Sequence, residues 1–160
     1  MRPALVLALV ACSARPAPRP PLPSADEVVA PYLKVRFGQG IADPHLEPTG
    51  WREGAHETFL DATLEAGVEV KTEAGVVQAV AITFAEDRIQ AVERDLHARL
   101  GDGIACAVLP EGVANFRPVL WQTSDGGAVT GIRKPHAYEL HVEKPAPPSF
   151  DEAWKSCAPP

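Results

Sequence analysis

The stretch VVQAVAITFAEDRIQAVERDLHARLG, residues 76–101, carries a strand and a helix back to back, and its reading decides the fold. In the first half Val80, Ile82 and Phe84 alternate with other residues, so they share one strand face and mark the core side. The opposite face would carry Val77, Ala79, Ala81 and Thr83, small enough to meet solvent or lie under a loop. In the second half Ile89, Val92, Leu96 and Leu100 fall at i, i+3, i+7 and i+11, a single apolar stripe along a helix. Acids crowd its start, where the helix dipole favours them, and Gly101 follows its last apolar residue as a stop.

Working outward, Val68 and Val70 open an earlier strand, and Glu73-Ala74-Gly75 supplies a turn with a glycine free to adopt positive φ. Beyond the helix, Ile104, Cys106 and Val108 alternate ahead of Pro110. Val119 to Thr123 and Ala128 to Arg133 flank a turn at Ser124 to Gly127. In a last strand Tyr138, Leu140 and Val142 alternate with Glu139, His141 and Glu143. The order is ββα followed by further strands. The fold class expected is α+β, an antiparallel sheet of about four to six strands with one long amphipathic helix packed on one face.

Ahead of this core, Ser24-Ala25-Asp26-Glu27 has the spacing of a capping box, so a short helix starts there and ends before Pro31. Leu33, Val35 and Phe37 alternate after it, in a segment read as extended chain. Residues 38–57 hold glycine, proline, acids, two histidines and Trp51 without a clear period, and read as a loop.

At 160 residues the chain has room for one domain with a sizeable core. Its formal charge of -6 comes with no cluster of lysine or arginine in the folded part, which removes the electrostatic footprint of a nucleic-acid partner. The 17 prolines gather at the two ends.

At the N-terminus, Arg2 precedes an apolar run from Leu5 to Ala11, too short for a bilayer span, which needs about 20 residues, but long enough for a secretory signal. Leu9-Val10-Ala11-Cys12 then resembles the lipobox of bacterial lipoproteins. The resemblance covers the first dozen residues and implies cleavage after Ala11, with diacylglycerol on the Cys12 sulfur. It implies a lipid bilayer as partner through the Cys12 anchor. Ser13, in place of an aspartate, suits the periplasmic face of the outer membrane. Residues 12–24 would be the lipidated cysteine and a proline-rich spacer, 25–144 a single α+β domain, and 145–160 a proline-rich tail with a short helix.

With Cys12 lipidated and the rest exported, Cys106 and Cys157 remain as an even pair in an oxidising compartment, where pairing is the default. Phe150, Trp154 and Cys157 fall on one face of the tail helix, which starts at a second capping-box spacing, Ser149 to Glu152. Docking that face would bring Cys157 to Cys106.

No nucleophile elbow, phosphate loop or metal-ligand spacing stands out. Trp121 is expected in the core and Trp51 at a binding surface. The function expected is a membrane-anchored, exported, non-catalytic binding or accessory protein of the cell envelope, with an envelope protein as partner and no cofactor. The alternative is a periplasmic hydrolase or metal-dependent enzyme using His136, Glu139 and His141.

Overall fold

A computed structural model of the chain describes residues 21–106 and 118–157. The expected signal segment and Cys12 lie outside them. The described residues form an α+β structure around one antiparallel sheet. Its strands are β1 (Leu46–Glu53), β2 (His56–Asp61), β3 (Ala66–Glu73), β4 (Val76–Ala85), β5 (Ile104–Ala105), β6 (Pro118–Gln122), β7 (Ala128–Arg133) and β8 (Ala137–Glu143). Three α-helices accompany them: α1 (Ala25–Val29), α2 (Ile89–Leu100) and α3 (Pro148–Cys157).

The strand order is β1-β2-β3-β4-β8-β7-β6-β5, so two four-strand meanders meet at the β4/β8 pair, and α2 lies in the connection between them. Eight strands replace the four to six expected. The added ones come from the segment read as a loop: β1 and the start of β2 occupy residues 46–57. Every β1 residue after Leu46 is exposed, so this edge strand has no buried face to imprint an alternating pattern on the sequence. The long helix expected is also shorter. Glu86–Arg88 form a 3-10 turn, and α2 itself has 12 residues, an ordinary length.

Ala74 and Gly75 both adopt positive φ, 51° and 79°, and close β3 onto β4 in a tight hairpin. Register then slips once. Thr72 pairs with Val77 but Lys71 pairs with Ala79, which leaves Gln78 as the extra residue of a bulge. The slip puts Val77 in the core alongside Val80, Ile82 and Phe84, not on the opposite face as its parity suggested. The bulged Gln78 carbonyl accepts the Lys144 amide at 2.9 Å.

Ile89, Val92, Leu96 and Leu100 of α2 join these strand residues in the main core, with Ala25, Val28 and Val29 of α1 and Leu33, Val35 and Phe37 of the segment after it. Full burial of each such large aliphatic side chain contributes about 1.5–3 kcal/mol. The capping box at α1 is formed in both directions between Ser24 and Glu27. At the other end of α1, Arg99 donates from Nη1 to the Glu27 and Val28 carbonyls at 3.0 and 3.1 Å, filling acceptors left open by the last turn. Asp95 holds Arg99 in place and accepts the Tyr32 hydroxyl. Burial alone would raise the Asp95 pKa, but the hydrogen bonds from Arg99 and Tyr32 and the Arg99 charge outweigh it and hold the pKa below its usual value.

Asp125, in the β6–β7 turn, ties three elements together. It accepts the Ala25 amide at 3.0 Å, the Thr123 hydroxyl at 2.6 Å and the Lys144 ammonium at 2.7 Å. Partial burial opposes ionisation, yet these bonds and the Lys144 charge bring the pKa down to about 2.

Among the described residues, the other sheet face is covered only at one end. There α3 sets Phe150, with Trp154 and Cys157 beside it, against Leu120, Ala128 and Cys106. Cys106 and Cys157 are joined by a disulfide with Cα atoms 5.1 Å apart. The helix starts at Pro148, so Ser149 sits inside it and not at the cap the spacing suggested; proline suits a first helical position because its missing N–H would lack a partner there anyway. Among the described residues no helix is long and apolar enough to cross a membrane.

Candidate functional site

Beyond α3 no described element covers the same sheet face, and strand register orders its side chains in rows. One row runs Thr58, Glu69, Ala81, His141, Thr130. On either side of it lie the rows His56, Lys71, Ala79, Glu143 and Leu60, Gly67, Thr83, Glu139. Along β4 the positions on this face are Ala79, Ala81 and Thr83, short side chains between long ones on β3 and β8. With strands about 4.8 Å apart, Glu69 and His141 are anchored about 10 Å apart across that floor. The result is a furrow of two adjoining hollows, about 240 and 280 Å3, which share Glu69, Ala81 and His141.

Two histidine–carboxylate pairs line the furrow. His56 Nδ1 meets Glu69, and His141 Nε2 lies 3.6 Å from Glu139 Oε2. Glu139 is also paired with Lys134. The His141 Nε2 atom is buried without a hydrogen bond to any described residue. Lys71 and Glu143 flank Ala79 and have no ion pair among the described residues. At the β1–β2 rim, Leu60 is 57% exposed and Trp51 is 48% exposed. Trp51 sits in the irregular stretch of β1 between Pro48 and Arg52, where Thr49 bonds across to Thr58. Donors, acceptors and exposed apolar surface thus lie side by side on this face.

The residues singled out in the sequence separate cleanly. Trp51, nominated for a binding surface, is exposed on the edge strand β1, and Trp121 is buried with its indole N–H donating to the Gly101 carbonyl at 2.9 Å. Cys106 and Cys157 are joined. The three residues of the enzyme alternative do not converge. Glu139 and His141 are neighbours on β8, but the His136 Nδ1 lies 2.9 Å from Glu86 Oε2 at the strand entry. Among the described residues no three histidine, cysteine, aspartate or glutamate side chains are arranged to hold a metal ion.

The His56–Glu69 pair and the furrow itself were missed in the sequence. Counting back from the Ala74-Gly75 turn without a bulge would set Glu69 opposite Val80; only the extra Gln78 sets it opposite Ala81. A polar residue following a tight hairpin by a few positions is a weak sign of such a slip. Compared with known proteins, the chain matches no family model, no curated protein and no solved structure.

Proposed function

We propose that this chain is an exported lipoprotein, anchored through Cys12 at the periplasmic face of the outer membrane, whose domain acts by binding and not by catalysis. The observation that carries the reading is Leu9-Val10-Ala11-Cys12 at the end of a short apolar run. The pairing of Cys106 with Cys157 supports it, because a disulfide suits an oxidising compartment and leaves Cys12 as the one cysteine for lipid. The binding surface in this reading is the furrow with its Trp51 and Leu60 rim, and the ligand is an envelope protein. The finer layer arrangement belongs to the same reading: α2 spans the far face and stiffens the sheet, so the furrow side stays free. The enzyme alternative is less favoured because Glu86 draws His136 away from Glu139 and His141.

Metabolic labelling with radioactive palmitate tests the address. Label is expected on the full chain and lost in Cys12→Ala; equal labelling of the variant would refute the assignment.

A further inference from the structure

On the core side of the sheet, α2 leaves a gap where it passes β6 and β7. A cleft of about 330 Å3 opens there between Glu93 and His97 of the helix and Trp121, Gly131, Arg133 and Tyr138 of the strands. It is independent of the furrow, which lies on the opposite sheet face. Gly131 shapes it. A Cβ at that position would overlap the Tyr138 hydroxyl and come within 2.9 Å of Tyr138 Cζ and 3.0 Å of Trp121 Cζ3, so only glycine lets the tyrosine ring lie across β7.

Tyr138 is 3% exposed, yet its hydroxyl makes no hydrogen bond to any described residue. The ring is buried, but the hydroxyl reaches the cleft, where water or a ligand can accept from it. Burial, and then the nearby Glu93 charge, raise its pKa, so at neutral pH it keeps its proton and can donate. The charges at the mouth cancel: Arg133 Nη1 donates to Glu93 Oε2 at 3.0 Å. Among the described residues that line the cleft, neither an unpaired cation nor an unpaired carboxylate is left to hold a charged ligand. The remaining lining is Val119, Trp121 and the His97 ring, which lies edge-on to Trp121 at 6.1 Å with its Nδ1 3.7 Å from Asp102 Oδ1.

We propose that this cleft binds a small uncharged molecule with an aromatic or aliphatic body and one acceptor oxygen, a carbonyl or amide, which takes the Tyr138 hydroxyl proton in a hydrogen bond. A volume near the lower end of the range for small-molecule sites, with few convergent polar groups, fits that class.

The test is titration of the purified full chain with benzamide, benzoate and toluene, followed by the NMR resonance of the Trp121 indole N–H. Saturable shifts are expected with benzamide, with toluene weaker by about tenfold, the loss for a single hydrogen bond left unmade, and with benzoate also weaker because its charge would be desolvated in a cleft whose cation is already paired. Tyr138→Phe removes no bond within the protein and should keep the native melting temperature, while benzamide binding falls about tenfold, to the level of toluene. Equal benzamide affinity in Tyr138→Phe, tighter binding of benzoate than of benzamide, or the lack of a saturable shift would each overturn the proposal.

Discussion

Opening the disulfide by Cys106→Ala with Cys157→Ser should cost about 4 kcal/mol of stability at 25 °C. The figure follows from the structure. The two cysteines are 51 residues apart in sequence, and the loop they close takes in β6, β7, β8 and α3. In the chain-entropy account, cross-linking a loop of that length removes about 14 cal/mol/K from the unfolded ensemble. Urea unfolding followed by circular dichroism measures the loss. With a slope of about 2 kcal/mol/M, the midpoint should fall by about 2 M, and the wild-type chain with reductant should fall by a similar amount. Free-thiol counting on the Cys12→Ala chain before reduction should give none. The mutated pair lies at one end of α3, whose Phe150 remains to dock on Leu120 and Ala128, so the native fold is kept, and the slope should rise somewhat because the opened chain unfolds to a less compact ensemble. A midpoint shift below about 0.3 M would refute the reasoning, since it would mean that the closed loop does not constrain the unfolded chain.

Asp125→Asn should destabilise by about 1 kcal/mol at neutral pH, about half of what a drop to about 2 would give a fully sheltered carboxylate. Because the folded pKa is depressed, the wild-type advantage is complete above the unfolded value near 4 and disappears as pH falls through about 2. Urea midpoints of both proteins between pH 7 and pH 2 should therefore converge at the acid end, and a constant gap would exclude the ion pair as its source. Ala74→Asn should stabilise by about 0.5–1 kcal/mol, because Ala74 holds a left-handed φ of 51° that asparagine tolerates better. A thermal melt would show it as a rise of about 2–4 °C, and a fall would mean that the turn is not strained at that residue.

The elements legible in the sequence are those with a buried side. Val80, Ile82 and Phe84, the stripe from Ile89 to Leu100, and Tyr138, Leu140 and Val142 all meet one core, and their spacing records it. β1 was illegible because seven of its eight residues are exposed, and its pairing rests on backbone bonds that leave no trace in side-chain order. Val77 was read on the wrong face because parity counting assumes an unbroken ladder, and the Gln78 bulge breaks it. The furrow was hidden for the same reason, its floor and walls coming from strands whose register the bulge sets. Trp51 could be nominated only as an aromatic residue in polar company, and its rim position depends on a strand the sequence concealed.

The line between the covered and the uncovered half of the furrow face is itself written in the residues. Across one row the face reads Leu120, Thr130, His141, Ala81, Glu69, Thr58, and α3 stops after the first. Leu120 and Ala128 offer apolar area that rewards burial under Phe150, whereas His141, Glu69 and Glu143 would each lose hydration under a helix that brings only apolar side chains. Extending α3 over β8 would therefore cost more than it gains. The disulfide fixes the helix over the apolar end without asking it to reach further. A sheet with small residues on β4 and polar ones to either side keeps the remaining face wet, open and rigid from behind. A partner docking there, as proposed, would meet this face without any described element having first to unfold or move aside.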